Sequence, residues 1–121
     1  MSAEEVAKAF VKHYYACFDG NREQMVGLYR DHSLLTFEGD GPKRGSAQIM
    51  EKLRQLPPVA HNAQTIEVQA SVAPNAILIF CTGEIMIEQG KPLKYTQAFQ
   101  LVGEGPGNYY LHNDMFRFNY S

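Results

Sequence analysis

The chain has 121 residues, enough for one domain spanning 1–121 and no more. Hydrophobic residues make up 45% and charged residues 20%, ordinary globular usage, and the net charge is −2 with a pI near 6.0. Lys and Arg are scattered without a run, which argues against nucleic acid as a partner and against an anionic membrane surface, since both require a basic stripe.

The longest apolar run, residues 76–81, is far too short to cross a bilayer. The first residues, Met1-Ser2-Ala3-Glu4-Glu5, are acidic and lack a signal peptide's basic and apolar regions, so the protein is expected inside the cell. Cys17 and Cys81 form no CxxC and no metal-spaced cluster with His. In a reducing compartment they read as small core residues, with a reactive thiol as the alternative. No cofactor motif is present. Gly103-Glu104-Gly105-Pro106-Gly107 joins two strand patterns and opens no helix, so it is not a phosphate loop.

Ser2-x-x-Glu5 is a capping box that opens a first helix. Val6, Phe10, Tyr14 and Phe18, flanked by Ala7, Val11 and Tyr15, give that helix one broad apolar face, and Gly20 fits its stop. Asn21-x-x-Gln24 opens a second, short helix carrying Met25, Leu28 and Tyr29. Leu34-Leu35-Thr36-Phe37 is β-prone and ends in the turn Glu38-Gly39-Asp40-Gly41-Pro42. Ser46 can cap a third helix with Ile49, Met50 and Leu53 inward, closed by Leu56-Pro57-Pro58.

From Ala63 the period changes to two. Ile66, Val68, Ala70 and Val72 alternate with polar neighbours up to the turn Ala73-Pro74-Asn75. Residues 76–87 form a long strand, initially apolar on both faces, with Gly83 a bend or bulge. Gln89-Gly90-Lys91-Pro92 turns the chain into a strand at 93–102, and the next glycine-rich turn leads into 108–119. Helices followed by a four-strand meander predict an α+β fold. Three helices cover one sheet face only, so the other calls for a partner subunit.

Four segments carry a family resemblance: His13-Tyr14-Tyr15-x-x-Phe18-Asp19, Leu35-Thr36-Phe37-Glu38-Gly39, Glu51-Lys52-Leu53-x-x-Leu56-Pro57 and Asn113-Asp114-Met115-Phe116-Arg117. In order and spacing they closely resemble nuclear transport factor 2 over essentially the whole chain. The resemblance implies a cone, in which a bent antiparallel sheet wraps three N-terminal helices and leaves a hydrophobic cavity, and a back-to-back homodimer of sheets. It implies a carrier that brings the GDP form of the small GTPase Ran into the nucleus and touches phenylalanine–glycine repeat nucleoporins. The expected location is cytoplasm and nucleus, enriched at the pore. No cofactor is implied.

The resemblance also implies roles. Phe37 matches an aromatic of the cavity mouth that is usually Trp; its alternative is a plain core aromatic. Glu38 matches a rim carboxylate and Leu56 a lining residue. Glu88 matches the first of two rim acids; the second falls near Gly90, which carries no charge. Met115, Phe116 and Arg117 match the final strand beside the cavity, with Met115 and Arg117 on one face and Phe116 on the other. A cavity-edge histidine of the family falls nearest Gln64, with His61 off register and read as a loop residue. An aromatic that binds pore repeats falls at or near Ala3.

Two other classes share the cone. Isomerases and dehydratases place a base and oxyanion donors in the cavity. Here Asp114 or Glu38 would be the base and Tyr14 or Tyr95 the donor, but nothing in the sequence pairs them. His13, His32 and His112 lie apart and read as surface or core-edge residues. A heterodimerising messenger RNA export adaptor is the third reading.

Overall fold

A computed structural model describes residues 2–119. Helix α1 spans Ala3–Asp19, and its capping box is formed: Ser2 Oγ accepts the Glu5 N–H at 3.1 Å, while a Glu5 carboxylate oxygen accepts the Ser2 N–H at 3.1 Å. Its inward stripe is Ala7, Val11, Tyr14, Tyr15 and Phe18. Gly20 ends it in the right-handed region, where a Cβ would lie 2.9 Å from the Ala16 carbonyl; close approach, not a positive φ, calls for glycine here.

The second helical stretch, Arg22–Leu28, is a 3-10 helix, and the Asn21 side chain makes no cap. Strand β1 (Tyr29–Phe37) begins five residues before the expected start. After a two-residue strand, β2 (Lys43–Arg44), helix α2 spans Gly45–Gln55. Arg44 occupies its N-cap without a side-chain cap, and Ser46, expected there, donates its hydroxyl to the Tyr29 carbonyl at 3.2 Å. Ser46 thereby ties α2 to β1.

Strands β3 (Val59–Ala70), β4 (Ala76–Ile87), β5 (Leu93–Gly105) and β6 (Asn108–Phe118) form the expected antiparallel meander. The sheet is mixed, which corrects the all-antiparallel expectation. Its order is β2-β1-β6-β5-β4-β3, and β1 lies parallel to β6. Helix α2 and strands β3 to β5 intervene between these two strands, and that length allows the parallel crossover.

The inner face presents Ile79, Cys81 and Ile85 from β4, Tyr95, Phe99 and Leu101 from β5, and Phe116 from β6. With α1 and the α2 residues Ile49, Met50 and Leu53, they form one core. Cys17 and Cys81 are buried free thiols within it, and burial pushes the Cys81 thiol up to about 12. On the outer face Leu78, Phe80 and Met115 stay 45–53% exposed, which is unusual for three large apolar side chains on one sheet. No helix of the described residues is long and apolar enough to cross a membrane.

Candidate partner-binding mouth

The parallel pairing of β1 with β6 sets the centre of the site. Phe37 stands opposite Phe116, and their rings stack at 4.6 Å and 3°. Phe116 in turn stacks on Tyr95 at 5.2 Å, and Phe118 meets both phenylalanines edge-on. The two phenylalanines differ in access. Phe116 is 4% exposed and belongs to the core, whereas Phe37, the last residue of β1, is half-buried.

The stack continues into His61. Its ring lies edge-on to Tyr95 and Phe116, edge-on to Phe18, and face-on to Tyr15 at 4.3 Å. Asp19, at the end of α1, takes both His61 donors: one carboxylate oxygen lies 2.6 Å from Nδ1 and the other accepts the backbone N–H at 2.7 Å. The imidazole is 1% exposed. His61, read from sequence as a loop residue, is therefore the histidine of this aromatic end.

Gln64 is not. Ala63 pairs with Gly83 and Thr65 with Thr82, so Gln64 is the extra residue of a bulge; it is exposed and reaches Glu84 at 3.3 Å. Gly83 is required at that bulge, since a Cβ there would lie 2.2 Å from the Asn62 carbonyl oxygen. The signal for His61 was the odd-numbered alternation starting at Val59, before the period became plain.

Two turns flank Phe37 and the β3–β4 end. Glu38 sits at φ 57°, and its N–H donates to the Phe116 carbonyl at 2.8 Å. Its carboxylate accepts the Phe118 N–H at 2.6 Å and lies 3.8 Å from Arg117 Nε. The expected rim acid thus closes the end of β6. Arg117 lies over Gly39, where a Cβ would come within 2.8 Å of its guanidinium.

Glu88 and Gln89 both have positive φ, 51° and 62°, and the Gly90 N–H donates to the Ile87 carbonyl at 2.9 Å. That is a type I′ reversal at 87–90, two residues earlier than the Gln89–Pro92 expectation, and it leaves the Glu88 side chain exposed. Glu88 borders a cleft of about 200 Å³ with Pro58, Val59 and Met86.

Leu56 caps α2 and is half-buried. It is held by a residue the sequence did not single out: Arg22 donates to the Leu53, Leu56 and Pro57 carbonyls at 3.1, 2.6 and 2.9 Å and lies over the Phe18 ring. Met115 and Arg117 do share the outer side of β6, opposite Phe116, so Met115 belongs to the exposed apolar face and not to the aromatic end.

Beneath the stack lies a polar network that the sequence left unpaired. Asp114, 1% exposed, accepts from Tyr14 at 2.7 Å, from Tyr29 at 3.0 Å and from Gln97 at 2.8 Å; Gln97 in turn accepts the Tyr15 hydroxyl at 2.8 Å. Burial raises the Asp114 carboxyl above its ordinary value against those three donors, which pull it down, and burial raises Tyr14 and Tyr29 as well. Tyr14 and Asp114 are thus a bonded acid–donor pair, but both carboxylate oxygens are occupied and the pair is sealed in the core. Among the described residues no three His, Cys, Asp or Glu converge as metal ligands.

The family model described as the nuclear transport factor 2 (NTF2) domain matches residues 6–118. A "Nuclear transport factor 2" of Oryza sativa is 46% identical over 123 residues, covering 99% of each chain. One of Emericella nidulans is 44% identical over 121 residues, covering 98% of this chain and 96% of its own. The solved structure of nuclear transport factor 2 from Cryptosporidium parvum superposes with a TM-score of 0.89 at 37% identity, covering 97% of this chain and 94% of that one. The cone of helices inside a curved mixed sheet, the register of the four motif segments and these similarities agree: the chain belongs to the nuclear transport factor 2 family.

Proposed function

We propose that the protein is a nuclear import carrier that binds the GDP form of Ran and phenylalanine–glycine repeat nucleoporins, works as a homodimer between cytoplasm and nucleus, and catalyses nothing. The observation that carries this reading is Phe37, a half-buried aromatic backed by the buried Phe116 and followed at once by the tight turn that begins at Glu38. A preformed aromatic platform suits a phenylalanine from a partner, because the rings behind it are already desolvated and rigid. The naming of the relatives as transport factors supports it.

In this reading Phe37, Leu56 and Phe116 supply the apolar part of the Ran site. Glu88 is the exposed acid for a partner lysine, Glu38 shapes the rim through β6, and Arg117 orders the neighbouring turn. His61, not Gln64, lies at the cavity edge in this reading. Met115 belongs to the dimer face with Leu78 and Phe80. The repeat-binding aromatic of the family corresponds to Ala3, so repeat binding rests on other apolar residues.

The test is a pull-down of purified protein against Ran loaded with GDP or GTP. A carrier retains the GDP form alone; retention of neither form refutes the reading and leaves the export-adaptor class. One observation favours an enzyme, the 2.7 Å contact between Tyr14 and Asp114. Turnover on an isomerase and dehydratase panel, lost in Asp114→Asn without loss of fold, would establish that class instead.

A further inference from the structure

Phe37 is guarded. Lys52, one α2 turn before Leu56, places its ammonium 5.8 Å from the centre of the Phe37 ring. Asp40, in the turn after β1, holds that ammonium at 2.8 Å. The Lys52 hydrogen bond and charge, and then Lys43, keep the Asp40 carboxyl below its ordinary value, so Asp40 is a carboxylate at neutral pH. The lysine side chain is only 18% exposed, although its partner is 53% exposed: the stem lies along the protein and the head is aimed at the ring by Asp40.

The turn that carries Asp40 contains Gly39 and Gly41, both at φ 74°, a left-handed backbone that glycine adopts without strain and that sets Asp40 facing Lys52. Behind Lys52 and Asp40, Lys43, Gln48, Glu51 and Gln55 line a polar cleft of about 310 Å³, room into which the lysine can withdraw.

We propose that Lys52 and Asp40 form a latch across Phe37, and that a partner's aromatic side chain docks only when it displaces Lys52 from the ring. Lys52 is then a specificity-determining residue. It covers a half-buried aromatic with a charge that discourages casual apolar contacts, and it sets a threshold that only a well-fitted side chain overcomes. The latch is weak by design of its parts: a cation over an aromatic at a partly exposed site plus one surface ion pair resists opening by about 2- to 10-fold in an equilibrium constant.

The proposal rests on Phe37 being the docking aromatic, and the test separates the two ideas. The chain contains no Trp, so Phe37→Trp gives a single tryptophan at the latch, excited apart from the tyrosines at the red edge of their absorption. In that background, without any partner, acrylamide quenching should rise on Lys52→Ala and on Asp40→Asn. Salt should raise quenching in the intact latch and leave both variants unchanged. In the Phe37 background, each variant should bind Ran-GDP about 2- to 10-fold more tightly, the loss of the same two contacts.

Unchanged quenching in both variants, with circular dichroism showing the native fold, overturns the latch whatever Ran does. Quenching that rises while affinity falls also overturns it, because Lys52 then contacts the partner. Quenching that rises in a protein that binds no Ran leaves the latch standing and refutes the carrier reading.

Discussion

Asp114 offers the most demanding test of the physical account. Its two oxygens divide the work unequally: Oδ2 accepts both tyrosine hydroxyls, at 2.7 and 3.0 Å, and Oδ1 accepts Gln97 Nε2 at 2.8 Å. Asp114→Ala strands the Tyr14 and Tyr29 hydroxyls and one N–H of Gln97, whose Nε2 keeps its 3.1 Å bond to the Tyr14 hydroxyl. Each unsatisfied donor costs about 1–3 kcal/mol, and breaking a buried charged network by removing one partner costs roughly 3–5 kcal/mol in all.

Relief from holding a carboxylate in the core offsets part of that, so the net loss is placed at about 3 kcal/mol. Asp114→Asn should behave differently. Its oxygen can sit where Oδ2 was and keep both tyrosines, while its amide meets the Gln97 amide, donor against donor. Rotating the Gln97 amide by half a turn removes that conflict but gives up its Nε2 bond to the Tyr14 hydroxyl at 3.1 Å. Its oxygen then accepts from Asn at 114 and its nitrogen donates to the Tyr15 hydroxyl. The Tyr15 proton is thereby released toward Tyr95, whose hydroxyl is the buried side-chain polar atom lacking a partner among the described residues. The loss should be about 1 kcal/mol, one imperfect hydrogen bond.

The pH dependence carries the sign. Asp114 has a raised carboxyl in the folded state, so between the ordinary carboxylate value of about 3.9 and its raised value the folded chain holds a proton that the unfolded chain has released. Its contribution is most favourable below that window and falls as pH rises through it, by at most about 1.4 kcal/mol per pH unit. Urea unfolding at a series of pH values from neutral downward should show this component in the wild type and not in Asp114→Asn. If the Asn variant loses as much stability as the Ala variant, the charge and not the geometry is essential. If the pH profiles coincide, Asp114 is not the source of the dependence. Either result refutes the reasoning.

The other predictions concern binding, backbone and assembly. Phe37→Ala should weaken Ran-GDP binding more than Glu88→Gln, because burying an aromatic contributes roughly 1.5–3 kcal/mol and a partly exposed ion pair about 0.2–1 kcal/mol; calorimetry that gives the reverse order refutes the apolar mouth. Gly83→Ala should destabilise the fold by about 1–3 kcal/mol in chemical denaturation, because its Cβ would lie 2.2 Å from the Asn62 carbonyl oxygen at a bulge that backbone on both sides fixes. Light scattering should give twice the 13.6 kDa chain mass, and Phe80→Asp should yield a folded monomer; a dimer that survives this change does not use the exposed face of Leu78, Phe80 and Met115.

The rim electrostatics follow from where the two glutamates ended up. Glu38 is engaged with the Phe118 N–H and Arg117, and Glu88 stands exposed on a turn whose next positions, Gln89 and Gly90, carry no charge. Removing Glu38 therefore acts first on the end of β6 and on the Phe37–Phe116–Phe118 packing, and an effect of Glu38→Gln on binding has to be read beside its effect on stability. Salt sensitivity of partner binding reports mainly on Glu88 and the Lys52–Asp40 pair.

The features legible in the sequence were those that neighbours along the chain decide. Ser2 and Glu5 specify the start of α1 because both halves of the capping box lie within one turn. The alternation of Ile66 and Val68 with exposed Glu67 and Gln69 and the opposite sides of Phe116 and Met115 follow from the two-residue pleat, and the buried stripe of α1 follows from its period. The motif segments, matched as a set, carried the family.

What tertiary structure decided is register and long-range pairing, which no local period encodes. The parallel seat of β1 on β6 brings Phe37 onto Phe116 across most of the chain. The bulge at Gln64 reverses the alternation of β3, so three positions of spacing separate an exposed amide from the buried His61. Tyr14 and Asp114 meet at 2.7 Å from a hundred positions apart. Side chains alternate strictly along a strand, but a single inserted residue inverts that order, and only the partner strand says where the insertion lies.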